Sequence, residues 1–137
     1  RADASPARDT TGNLAGGTTG NPAGRSLRVA YHQPCHLKAQ QIGNPALELL
    51  REIPGVEVID LAAGCCGMAG TFGMKVGTYD LSMKAGGPLF ARIGSLAPDL
   101  LASECSTCRM QLAHATGLAT VHPVELLAEA YGLAVTL

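Results

Sequence analysis

The sequence predicts an α/β domain built on a mostly parallel sheet. From Leu27 onward, short β-prone runs alternate with longer segments of helical period, the signature of successive βαβ units. Three groups of cysteines, Cys35, then Cys65 with Cys66, then Cys105 with Cys108, each follow one of the predicted strands. In a parallel sheet the C-terminal strand ends share one edge, where open α/β folds form their ligand sites, so the three groups are expected to converge there.

Residues 1–26 carry Gly12, Gly16, Gly17, Gly20 and Gly24 among Thr, Ala, Asn and Pro, with scattered charges and no periodicity. They are expected to form a flexible N-terminal linker, which leaves 27–137 as a single small domain. Leu27 to Tyr31 is the first predicted strand. Asn44-Pro45 forms an N-cap and first-turn pair, Leu47, Leu50 and Ile53 share a helical face, and Pro54-Gly55 ends that helix. A second strand runs from Val56 to Leu61. Thr78 to Ser95 is helical by period, with Leu81, Ala85, Leu89 and Ile93 in register, and Gly86-Gly87-Pro88 is expected to kink or split it. A third strand over Asp99 to Ser103, a helix over Ser106 to Thr116, a brief strand at Thr120 and Val121, and a helix from Pro123 to near Gly132 complete about four β-α units.

Bulk properties narrow the function classes. A chain of 137 residues with 47% hydrophobic content supports one packed core and hardly two. A net charge of -1, with three Tyr, two Phe and no Trp, supplies neither a basic stripe nor stacking aromatics, so nucleic acid is not an expected partner. No apolar run reaches the roughly 20 residues of a membrane-spanning helix, and the N-terminus lacks the sections of a signal peptide, which leads to the expectation of a cytoplasmic protein. The first residue is Arg1 and not Met, so a longer polypeptide is expected.

Five cysteines, an odd count without a secretory signal, favour reduced thiols that bind metal or do redox chemistry over a disulfide framework. Cys105-Ser106-Thr107-Cys108 is a C-x-x-C pair at a predicted helix start, where backbone N–H groups favour thiolate. Alone it fits thioredoxin-like exchange, half a zinc site or half an iron–sulfur site. In Cys65-Cys66-Gly67, neighbouring side chains reach one centre only if the backbone loops around it, and Gly64, Gly67, Gly70 and Gly73 supply that freedom. A lone Cys35 reads as readily as a small buried hydrophobe. Five thiols in three groups point to a centre. Four would close a tetrahedral zinc site and leave one spare, whereas a multi-iron cluster has positions for all five, so iron–sulfur is favoured and zinc is the alternative. A metal-free thiol–disulfide site at Cys105 and Cys108 is the third reading.

His32 and His36 bracket Cys35 and are assigned at most an outer role, with solvent contact or strand capping as the plain alternative. His122 is expected to start a helix, and His114 to lie on a helix surface. Met68, Phe72 and Met74 are packing residues expected to wall the site with low dielectric, and Lys75 and Lys84 are placed to offset cluster charge or simply to face water.

The ordered motifs Tyr31-His32-Gln33-Pro34-Cys35-His36, Cys65-Cys66-Gly67-Met68-Ala69-Gly70-Thr71-Phe72-Gly73 and Cys105-Ser106-Thr107-Cys108 resemble the CCG, or cysteine-rich, domain of the heterodisulfide reductases and their relatives. The resemblance spans about Leu27 to Gly132, including His122-Pro123-Val124-Glu125-Leu126-Leu127. Within that family it is greatest toward the C-terminal CCG domain of the iron–sulfur subunit of anaerobic glycerol-3-phosphate dehydrogenases, and similar domains occur in glycolate oxidase and FAD-dependent D-lactate dehydrogenase. The resemblance implies an electron-transfer module and not a catalyst in its own right. A flavoprotein partner carrying FAD would do the substrate chemistry, and electrons would leave through further iron–sulfur domains of the same polypeptide toward quinone or another acceptor. It also implies a 4Fe–4S cluster, noncubane in the heterodisulfide reductase branch where it cleaves disulfides, held by Cys35, Cys65, Cys66, Cys105 and Cys108, with Gly67 shaping the loop. Every cysteine of the motif is retained. Partner subunits would place the chain at the inner face of the membrane.

Overall fold

The computed structural model describes residues 26–133, so the expected linker lies, apart from Ser26, outside the described residues. Four strands, β1 (Leu27–Tyr31), β2 (Val56–Asp60), β3 (Leu100–Ala102) and β4 (Thr120–Val121), form one sheet of order β2-β1-β3-β4. All three pairings are parallel, with Leu27 opposite Val56, Val29 opposite Leu100 and Leu101 opposite Thr120. The ladder continues past the strands at the C-terminal edge: Leu61 N–H donates to Tyr31 O, His32 N–H to Ala102 O and Ser103 N–H to Val121 O. These bonds pin the first residue of each loop that leaves that edge.

Helices cover both faces, as a fully parallel sheet requires. On one face, Val29, Tyr31, Leu100, Ala102 and Val121 pack with Leu47, Leu50 and Ile53 of α2 (Pro45–Arg51) and its flank, and with Leu126 of α5 (Pro123–Ala130). On the other, Ala30 and Leu101 pack with Leu89 and Ile93 of α3 (Tyr79–Leu96) and Leu112 of α4 (Ser106–Thr116). Each such leucine or isoleucine taken fully out of water contributes about 1.5–3 kcal/mol. The short α1 (Cys35–Ala39) follows β1, and two 3-10 turns, Phe72–Met74 and Val76–Thr78, lead into α3.

Three details differ from expectation. Asn44 occupies the N-cap position of α2 but its side chain makes no cap bond, and its Oδ1 is buried without a partner. The helix containing Gly86-Gly87-Pro88 is not split there: it is one element of 18 residues with Pro88 inside it. Its buried face is Ser82, Gly86, Leu89 and Ile93, whereas Leu81 is 60% exposed and Ala85 also faces water. The physical reason lies in the loop after β2, which crosses the N-terminal half of α3 at backbone distance. A Cβ on Gly86 would stand 2.4 Å from Cys66 O, and one on Gly67 would stand 2.0 Å from Ser82 O. A leucine on that part of the helix would push the loop away. Helix period alone could not reveal a face chosen for thinness.

Gly86→Ala is therefore expected to cost about 1–3 kcal/mol or more by overpacking, while Gly94→Ala on the same helix, where a Cβ meets nothing within 4 Å, should stabilise by about 0.5–1 kcal/mol. Urea unfolding of the two variants checks the contrast.

Candidate metal centre

The strand order reverses at β1: the chain passes from β1 to β2 by way of α2 on one face and from β2 to β3 by way of α3 on the other, and the crevice outside such a switch point is the usual ligand position of open α/β sheets. His32 leaves β1 there, 3% exposed. After β2, an Asp60 carboxylate accepts the Ala62 N–H at 2.9 Å and turns the chain, and Cys65 and Cys66 then diverge. Cys66 points inward at 3% exposure, while Cys65 is exposed and its sulfur accepts the Gly67 N–H at 3.2 Å. Gly67 has φ +89°, a region that L side chains avoid. After β3, Cys105 is the N-cap of α4, its sulfur accepting the Cys108 N–H at 3.5 Å and contacting the Thr107 hydroxyl at 3.2 Å. Cys108 lies one turn on, 4% exposed. The Tyr31 hydroxyl donates to Glu104 at 2.7 Å, tying the end of β1 to the residue before Cys105.

The ligand atoms of His32, Cys66 and Cys108 all lie within 4.8 Å of one another, and the two sulfurs are 3.2 Å apart. That is far too long for a disulfide bond of about 2.05 Å. It is a little inside the separation of about 3.8 Å that two thiolates adopt on one tetrahedral metal with bonds near 2.3 Å. Two thiols this close cannot both ionise without a cation. The bond from Cys108 pulls the Cys66 thiol well below its ordinary value against burial, with His32 assisting. Cys108 is pushed up by its bond to Cys66, by burial and by the nearby Cys66 and Cys105 charges. Cys105 is lowered: burial opposes the shift, and the Thr107 hydroxyl and Cys108 N–H overcome it. The metal-free pair thus holds a proton that a metal would displace.

The donor set of thiols and imidazole is that of zinc and iron–sulfur sites. Its wall is apolar, formed by Ala30, Leu61 and Met68 with Phe90 against them. A cavity of about 240 Å³ lined by His32, Gln33, Lys38, Asp60, Ala62 and Ala63 opens beside it. A more apolar cavity, about 250 Å³ between α2 and α5, belongs to the other face of the sheet.

Of the five cysteines, the structure brings Cys66 and Cys108 together, with Cys105 bonded into the same helix turn. Cys35, at the start of α1, and Cys65 are exposed and stand outside the buried group. His36 is exposed on α1, Met74 is 48% exposed and forms no wall, and Lys75 and Lys84 face water. His122 starts α5 with a reciprocal capping box to Glu125, as expected, and His114 sits on the surface of α4 against the Tyr79 hydroxyl. Two features escaped the sequence reading. His32 is buried within reach of the Cys66 and Cys108 sulfurs and does not face solvent, and its place directly after the switch-point strand was the available signal. The buried pair Ser82 and Gln111 was also missed, although Ser82 is spaced by helical period with Gly86, Leu89 and Ile93.

A parallel sheet with thiol groups after three of its strands and a buried Cys–Cys–His group at its switch point defines a cysteine-rich α/β domain with a donor set able to hold a metal. The chain belongs to the CCG cysteine-rich domain family, whose profile matches residues 29–113 and so encloses all five cysteines. It is 44% identical over 104 residues to one subunit of the anaerobic glycerol-3-phosphate dehydrogenase of Escherichia coli (strain K12), covering 76% of this chain and 26% of that protein. It is 33% identical over 87 residues to an uncharacterized iron-sulfur protein of Methanocaldococcus jannaschii (63% and 17% covered). With one subunit of the fumarate reductase (CoM/CoB) of Methanothermobacter marburgensis it shares 30% over 90 residues (64% and 18% covered). The chain thus spans about a quarter or less of these relatives. Among the described residues, no helix is long and apolar enough to cross a membrane.

In metal-free protein at pH 8, iodoacetamide should modify Cys35 and Cys65 first and Cys66 and Cys108 last, because the first two sulfurs are exposed and the buried pair is closed to the reagent. Peptide mass spectrometry over time reads the order; early loss of Cys66 would show that the buried pair is not preformed.

Proposed function

We propose that this chain is an iron–sulfur electron-transfer domain of a flavin-linked dehydrogenase of the anaerobic glycerol-3-phosphate type. The observation that carries the reading is the meeting of Cys66, Cys108 and His32 at the switch-point edge, with Cys105 in the adjoining helix turn. Relatives named as an iron-sulfur protein and as subunits of a dehydrogenase and a reductase support it. Cys66, Cys105 and Cys108 would hold a 4Fe–4S cluster from the buried side, and Cys35 and Cys65 would close on it from the exposed loops. Such a cluster, when bound, takes up and gives away single electrons. His32 would hydrogen-bond or ligate at the inner edge, the Gly67 N–H would stabilise charge on the Cys65 sulfur, and Leu61, Met68 and Phe90 would keep water from the inner side. The flavin, on a partner subunit or domain, would oxidise the substrate. Further iron–sulfur domains of the same polypeptide and a quinone would receive the electrons, at the cytoplasmic face of the membrane.

A second reading has a specific observation behind it. His32, Cys66 and Cys108 already meet, and Cys105 in the adjoining turn would complete a four-donor Cys₃His set without Cys35 or Cys65, which would suit one structural zinc ion.

Protein purified without oxygen is expected to contain about four irons per chain and to give a paramagnetic signal in one redox state. Cys66→Ser and Cys108→Ser should each lower iron retention by more than the roughly 10- to 100-fold that loss of an outer hydrogen-bond partner causes. Stoichiometric zinc, no signal, and indifference to Cys35→Ser and Cys65→Ser would support the zinc module instead.

A further inference from the structure

On the α3 and α4 side of the sheet, among packed leucine, isoleucine, alanine, methionine and cysteine side chains, two polar side chains are sealed from water. Ser82 of α3 is 0% exposed and Gln111 of α4 is 2% exposed. The Gln111 amide donates to the Ser82 hydroxyl at 2.8 Å, and the Ser82 hydroxyl donates to the Gly67 carbonyl at 2.7 Å. A hydroxyl has one proton to give, so accepting from Gln111 leaves it a single orientation, toward Gly67. Burying an amide and a hydroxyl among hydrocarbon is costly unless both are bonded, and an Ala–Leu pair would pack the same helices without that demand.

What the pair holds is the peptide backbone beside Cys65 and Cys66. Gly67 lies so close to α3 that a Cβ there would meet Ser82 O at 2.0 Å, and a Cβ on Gly73 would meet the Ser82 hydroxyl at 2.3 Å. With its carbonyl fixed on Ser82, Gly67 directs its N–H to the Cys65 sulfur at 3.2 Å. Hydrogen bonds to ligand sulfurs are among the levers that set iron–sulfur potentials, because they stabilise the more negative reduced state.

We infer that Ser82, oriented by Gln111, is a positioning residue for the Cys65-Cys66-Gly67 loop: it keeps Cys66 seated against Cys108 and aims the Gly67 N–H at Cys65. Its consequence for a bound cluster rests on the iron–sulfur reading above, whereas its consequence for the thiols does not.

The test compares Ser82→Ala and the double variant Ser82→Ala/Gln111→Leu with the unaltered full chain. In metal-free protein, Ser82→Ala should raise the rate of Cys66 alkylation about tenfold, the factor that one buried hydrogen bond supports. In cluster-loaded protein it should shift the midpoint potential to more negative values and move the electron paramagnetic resonance g-values. The double variant removes the stranded Gln111 amide and should recover thermal stability while both shifts persist. Unchanged alkylation in Ser82→Ala would overturn the inference. So would a double variant in which alkylation rate, potential and stability all return together, since the pair would then be only a packing element. If the unaltered chain takes up no cluster, the iron–sulfur reading fails, and the alkylation rates still decide the role of Ser82.

Discussion

Two backbones meet without side chains between them where the loop after β2 crosses α3. Gly67 on the loop and Gly86 on the helix each lie where a Cβ would collide with the other segment. That contact lets the loop sink into the layer between sheet and helices, and Cys66 sinks with it. The sulfur then arrives among Ala30, Leu61, Leu101 and Leu112, a place where a thiol has no water and must find a partner. Its partner is Cys108, brought to the same depth by the first turn of α4.

The sheet supplies the second half of the geometry. Because β1, β2 and β3 are parallel, the chain leaves all three at one edge. The ladder bonds at Leu61, His32 and Ser103 hold the loop starts in a fixed relation. Residues separated by more than 70 positions thereby meet within a few ångströms, at little cost in side-chain entropy, since cysteine and histidine have few rotatable bonds. The same frame separates two chemistries: the α2–α5 face is an apolar layer, and the α3–α4 face carries thiols, imidazole and a buried amide–hydroxyl pair.

Much of this was legible in the residues. The strand Leu27–Tyr31, the helix Ser106–Thr116 and the strand at Thr120 and Val121 appear at their expected positions, because β-prone runs, a C-x-x-C helix start and a terminal Gly117 are strong local signals. The Leu47, Leu50 and Ile53 face was equally plain, being ordinary hydrophobic periodicity. The α3 face was misread because its contact surface is defined by what is absent: glycine and serine carry no hydrophobic signal, although a close backbone approach demands them. The cysteine groups were legible as a set from their spacing after strands. Which of them lie inside was not, since neighbours such as Cys65 and Cys66 look alike in sequence and differ only by the direction the loop gives each. The burial of His32 was missed for a related reason: a histidine after a strand is common, and only the depth of the crevice brings it beside the two sulfurs.

In the proposed function, the buried Cys66–Cys108–His32 edge is the seat of an iron–sulfur cluster. Anomalous diffraction at the iron and zinc absorption edges, from crystals grown without oxygen, tests it most directly. Several iron peaks are expected at the C-terminal edge of β1 and β3, with Cys66 and Cys108 sulfurs at about the 2.3 Å of a metal–thiolate bond. A single zinc peak there, or iron bound away from Cys66 and Cys108, would contradict it.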